Sequence, residues 1–173
     1  MDKLLIIMAF FTFLGSTTGH SEVIASFPSG WRLADRADYS TEDLSFLNNR
    51  VPNRVESDFN GDGINDDARI LLNDIEKKFG LFVFLGKKEG GYKTIKLVEY
   101  LKDTVKLYMG IFVITHGKHI TACGKGYGNC APDEPKELTL RNPGINFFQF
   151  ESASSVFYWD PEKNEFKRVW LSD

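Results

Sequence analysis

The chain has 173 residues, 42% of them hydrophobic and 26% charged, with a formal net charge of −3. That is enough apolar material for a sizeable core. Its lysines and arginines are scattered, so no broad basic surface is expected for nucleic acid.

Lys3 precedes an apolar run from Leu4 to Leu14, which is followed by small and polar residues through Gly19. This order is that of a signal peptide. The run is about half as long as the roughly twenty residues a membrane-spanning helix needs, so no stable membrane anchor is expected. Thr17 and Gly19 suit cleavage before His20, with Val23 and Ala25 marking a second site, and no cysteine follows the run for lipid attachment. The expected organisation is a signal peptide over 1–19 and one periplasmic or extracellular domain over 20–173.

Trp31 and Leu33 are placed to open a first strand. Ser40 to Asn49 reads as a short helix, because Ser40 caps it, Asp43 lies three residues on, and Leu44 and Leu47 share a face. Pro52 is expected to end it. Beyond residue 66 the period becomes two: Ala68, Ile70 and Leu72 alternate with Arg69, Leu71 and Asn73, the pattern of a half-buried strand. Further strands are expected at Leu81–Leu85, Tyr92–Leu97, Leu107–Thr115, Ile120–Cys123, Glu137–Leu140, Ile145–Phe150, Val156–Trp159 and Phe166–Leu171, punctuated by glycine, proline and asparagine. Val98 to Val105 fits either a strand or a helical face. The last two strands flank Asp160-Pro161-Glu162-Lys163-Asn164 and read as a hairpin. The fold class expected is mainly β (α+β): a single antiparallel domain, sandwich or strongly curved sheet, with one short N-terminal helix.

The densest chemistry lies in Asp58-Phe59-Asn60-Gly61-Asp62-Gly63-Ile64-Asn65-Asp66. Counted from Asp58, oxygen-bearing side chains fall at the first, third, fifth and ninth positions, Gly63 sits at the sixth, and Ile64 offers its carbonyl at the seventh. Hard oxygens in this order are what calcium requires. Arg69 occupies the twelfth position, where an EF-hand places a bidentate glutamate, and strand rather than helix follows. The segment Asp58 to Gly63 with Asp66 and the apolar strand after it resembles the calcium loops of FG-GAP repeats, as in integrin-type propellers and VCBS-like proteins. The resemblance runs from Val55 to Leu72 and implies a loop joining two strands, with Asp58, Asn60, Asp62, Ile64 and Asp66 as calcium ligands. A propeller needs several such repeats and this chain has one. A plain turn between strands is the competing reading of the same residues.

Cys123 and Cys130 enclose three glycines, and in an exported chain a disulfide is expected. Zinc held by these cysteines with His116 and His119 is disfavoured by their wide spacing. His116-Gly117-Lys118-His119 is the one local cluster of acid-base groups, expected on a turn between strands, and the sequence contains neither HExxH nor GxSxG. Phe147, Phe148, Phe150, Phe157, Tyr158, Trp159, Phe166 and Trp170 are expected to be mostly core, with any outward face meeting another sheet or a partner. Three functions stay open. The first is a non-catalytic binding domain with structural calcium that recognises a protein, as an inhibitor or immunity protein does. The second is a cell-wall or surface-directed hydrolase using His116 or His119. The third is a polysaccharide-binding or adhesion component.

Overall fold

The computed structural model describes residues 26–132 and 134–172; the expected signal peptide and cleavage site lie outside them. The elements in chain order are β1 (Arg32–Leu33), a 3₁₀ turn (Arg36–Asp38), α1 (Thr41–Phe46), β2 (Arg54–Ser57), β3 (Asp66–Asn73), β4 (Lys78–Gly86), β5 (Tyr92–Leu101), β6 (Met109–Ile114), β7 (Gly117–Ile120), β8 (Glu137–Leu140), β9 (Gly144–Gln149), β10 (Ser154–Asp160) and β11 (Glu165–Ser172). Every strand pairing is antiparallel. The expected mainly β, antiparallel fold with one short helix is what the chain adopts.

In the first sheet the order is β1-β3-β4-β5, with β2 also paired to β3. Because β4 occupies one side of β3, β1 and β2 share the other: Leu33 lies opposite Leu71, and Val55 opposite Ala68. The second sheet runs β11-β10-β9-β6, and β7-β8 form a separate hairpin. The main core lies between the two larger sheets. Ala68, Ile70, Leu72, Phe79, Leu81 and Val83 of the first meet Ile111, Ile145, Phe147 and Phe157 of the second, and Leu44 of α1 and Phe59 join the same core.

The outer faces are covered too. Leu71, Phe82 and Phe84 pack under Phe27, Trp31 and Leu33, so β3 is buried on both faces rather than half-buried as its alternation suggests. Leu138 and Leu140 of the β7-β8 hairpin cover Val156, Val169 and Leu171 on the outside of the second sheet. This answers the double-sided aromatic pattern of β10: Phe157 enters the main core, while Tyr158 packs under the hairpin. Of the late aromatics only Phe147 and Phe157 are buried, and Trp170 is exposed.

Two local expectations are corrected, at the helix end and at Ile120–Cys123, and two stretches the sequence left open are settled. The helix ends at Phe46, well before Pro52, because Asn48 and Asn49 turn left-handed and the Asn49 amide donates to the Leu44 carbonyl at 2.8 Å. Its start is as expected: Ser40 Oγ accepts from the Asp43 amide at 3.0 Å. β2 carries no periodic signal in four residues and is found only through its pairing with β3. The strand expected at Ile120–Cys123 is shifted to Gly117–Ile120, because the Lys125 and Gly126 amides bond back to Thr121 and Cys123 and close a turn there. His119 therefore sits within β7, and only His116 lies in the preceding connection. Tyr92 to Leu101 is one continuous strand, which resolves the ambiguous stretch up to Leu101.

Cys123 and Cys130 form a disulfide, with Cα atoms 4.9 Å apart. Its loop docks on the edge of β11, where the Ala122 amide donates to the Trp170 carbonyl at 2.8 Å and Lys125 Nζ to the Leu171 carbonyl at 2.8 Å. A sheet edge that would otherwise be open to further pairing is thereby capped. Among the described residues no helix is long and apolar enough to cross a membrane. Replacing both cysteines, Cys123→Ser with Cys130→Ser, is expected to cost about 2 kcal/mol, the value for so short a closed loop, measured as a lower midpoint of denaturant unfolding with unchanged slope.

Candidate functional site

The acidic loop joins β2 to β3, and the Ser57–Asp66 pair closes its neck. Phe59, the second residue of the loop, is fully buried in the main core and anchors it from beneath. Gly61 and Gly63 both take left-handed backbone, with φ of 79° and 84°, which lets the chain wind tightly.

The loop side chains face its own amides. Asp58 Oδ1 accepts from the Gly61 amide at 2.7 Å and the Asp62 amide at 3.1 Å, while Oδ2 accepts from Gly63 at 2.8 Å. Asn60 Oδ1 accepts from the Asp62 amide at 3.0 Å, its Nδ2 donates to Asp62 Oδ2 at 2.9 Å, and Asp62 Oδ1 accepts from Ile64 at 2.8 Å. Asp66, only 1% exposed, uses Oδ2 for the Phe59 amide at 2.9 Å and Oδ1 for the Gly86 amide of β4 at 3.0 Å. Burial pushes its carboxyl up to about 6, against the amides of Gly86, Phe59 and Asn60, and the nearby Asp62 charge adds to the rise.

The sequence-predicted donors Asp58, Asn60, Asp62, Ile64 and Asp66 are thus brought into one loop, in which Asp58 and Asn60 share the Asp62 amide and Asn60 bonds the Asp62 carboxylate, while Asp66 takes separate amides at its base. Hard oxygen donors of this kind suit calcium, and a carboxylate oxygen that accepts one N–H retains a lone pair for a cation. Among the described residues no three His, Cys, Asp or Glu side chains converge as a metal-holding group.

Neighbours fix where the loop sits. A Cβ on Gly86 would lie 2.6 Å from Ile64 Cγ2 and 2.7 Å from the Asn65 carbonyl, so the loop rests directly on β4. At Gly61 a Cβ would meet the Asn142 amide at 2.5 Å. Asn60 and Gly61 thereby form one wall of a cleft of about 460 Å³, whose other walls include Asn142, Trp159 and Asp160. Sequence reasoning did not point to Asn142 or Gly86, which meet the loop only through the pairing of distant strands.

Beside the loop, Arg54 and Arg69 converge on Asp67: Arg54 Nε lies 3.0 Å and Arg69 Nε 2.9 Å from Asp67 Oδ2. The Arg69 guanidinium also lies over the rings of Phe27 and Phe84. The residue that excludes an EF-hand thus ties β3 to its outer cover. His119 Nε2 lies 3.0 Å from the Thr115 carbonyl, and His119 lies in β7, whose partner strand β8 contributes Thr139 and Leu140 to the same cleft as Asn60 and Gly61.

Compared with known proteins, the chain matches no family model, no curated protein and no solved structure. The likeness to FG-GAP loops rests on the loop residues themselves.

Asp66 and Asp62 differ in what their loss should do. Asp66→Ala strands two buried amides and is expected to cost roughly 2–5 kcal/mol even with calcium chelated. Asp62→Ala, whose bonds are solvent-exposed, is expected to cost under about 1 kcal/mol in chelator, measured by urea denaturation.

Proposed function

We propose that the chain is an exported, non-catalytic binding domain in which one calcium ion pins the β2-β3 loop, and that a protein is what it recognises. Asp58, Asn60, Asp62, the Ile64 carbonyl and Asp66 would hold the ion, as in the FG-GAP loops this segment resembles. The observation that carries the reading is the oxygen donor at each odd position of a loop wound about two left-handed glycines. Turn formation alone does not require acid or amide at each of those positions. The ion's role here is structural: it offsets the repulsion among Asp58, Asp62 and Asp66 and orders the loop against β4.

Export is supported by the signal-peptide order of the first residues and by the disulfide, since disulfides persist in oxidising compartments. Recognition rather than catalysis is supported by His119, whose imidazole is engaged by the Thr115 backbone carbonyl rather than by an acid. A protein partner suits the half-exposed aromatic residues along the sandwich flank, where Tyr100 and Trp170 reach solvent. An inhibitor or immunity protein that masks a secreted enzyme is the version of this role that a small exported domain fits.

One observation favours a second reading. The cleft beside the loop presents Trp159 and Tyr158 together with Asn60, Asn142 and Asp160, a mixture of ring faces and hydrogen-bonding groups suited to a polysaccharide.

The calcium claim is tested by melting the mature protein with calcium and with EGTA. At calcium a hundredfold above the dissociation constant, about 2.7 kcal/mol of stabilisation is expected, raising Tm by roughly 5–10 °C, and Asp62→Ala should abolish the difference. An identical Tm in both buffers overturns the ion site. Affinity capture then separates the partners: a retained enzyme that loses activity supports inhibition, and retention on glycan instead supports the second reading.

A further inference from the structure

At the far end of β4 from the acidic loop, the two large sheets part and leave a slot of about 160 Å³. Phe79 and Tyr100 of the first sheet form one side; Phe147, Trp170 and Arg168 of the second form the other. Arg168 is the unusual member. Its guanidinium lies 4.3 Å from the Trp170 ring centroid, 5.2 Å from Phe157 and 5.7 Å from Phe147. Nε donates to the buried Ser155 hydroxyl at 2.9 Å, and Nη1 donates across the gap between the sheets to the Tyr100 hydroxyl at 2.8 Å.

These contacts hold the guanidinium in one orientation and leave its charge unanswered. Among the described residues no carboxylate lies within ion-pair distance of Arg168, and Nη2 has no acceptor, whereas Arg32, Arg54 and Arg69 of the first sheet each pair with an aspartate. An arginine with donors to spare, fixed between buried Phe147 and Phe157 and the partly exposed rings of Tyr100 and Trp170, is preorganised for a planar anion. The void of about 160 Å³ beside it is of the size of a single aromatic ring, and Arg168 also lines a wider groove of about 580 Å³ between β5 and β11.

We infer that this slot is a binding site for a small aromatic carboxylate, with the carboxylate taken by the free donors of Arg168 and the ring seated among Phe79, Tyr108, Phe147 and Trp170. The charge-assisted pair forms in a partly dehydrated setting where it is stronger than in water. The apolar walls account for the preference for a ring over an aliphatic acid. The carboxylate can be that of a free metabolite-sized acid or the C-terminus of a peptide ending in an aromatic residue, since both present the same group.

The test is titration of the full mature protein with phenylacetate, following the Trp170 indole N–H by NMR, with that signal assigned through Trp170→Phe. Saturable shifts with a dissociation constant of roughly 0.1–10 mM are expected, the range open to so small a ligand. Phenylacetamide, which has the same ring but no charge, should bind at least tenfold more weakly. A peptide ending in phenylalanine with a free carboxylate, compared with its amidated form, distinguishes the two sources. Arg168→Gln should abolish the phenylacetate response, and Tyr100→Phe, which releases only the orienting hydrogen bond, should weaken it several-fold. Absence of saturation by both phenylacetate and the free-acid peptide overturns the assignment. So does equal binding of phenylacetamide, a result that depends on no variant folding.

Discussion

A carboxylate removed from water must find donors close by, and Asp66 finds two that belong to different parts of the chain. One is the amide of Phe59 at the start of the acidic loop; the other is the amide of Gly86 at the end of β4. The bond to Phe59 sets where that ring enters the core, and the bond to Gly86 sets how far β4 runs beside β3. Loop, sheet and core are therefore referred to one buried group. The left-handed glycines and the Asp58 cage of amides then shape the loop above this fixed base.

The remainder of the molecule is a problem of covering apolar faces. Two antiparallel sheets meet across one core, yet each sheet also carries apolar residues on its far side. The N-terminal segment covers Leu71, Phe82 and Phe84, and the β7-β8 hairpin covers Val156, Val169 and Leu171. The disulfide loop completes the arrangement by occupying carbonyls at the end of β11. At a flank where the sheets diverge, Arg168 bridges them by donating to the Tyr100 hydroxyl and leaves a slot beside the bond.

Much of this is legible in the sequence where the signal is local. Asp160-Pro161 between two aromatic strands announces the last hairpin, Ser40 announces the helix start, and the odd-numbered oxygens from Asp58 to Asp66 announce the loop. What escapes is set by partners distant in the chain. Alternation in Ala68 to Asn73 implies one wet face, and only the remote Phe27, Trp31 and Leu33 make it dry. β2 is too short to show a period and exists because β3 leaves it an edge. In the candidate site, Asp66 reads as one more metal donor, whereas the fold makes it first an acceptor for buried amides. Arg168 gives no sign from its neighbours in β11 that it lacks a carboxylate.

The sharing of one edge of β3 by β1 and β2 divides that edge into two segments of unequal strength. β2 is held by four pairs and by the buried neck of the loop, while β1 is held by two. Local opening should therefore begin at β1, since segments with few pairs lie at the low end of the stability range. Such an opening lifts Leu33 away from Leu71 and wets the outer face of the first sheet while the inter-sheet core stays closed. The molecule thus has a soft cover at β1 on one side and a covalently closed loop capping the β11 edge on the other.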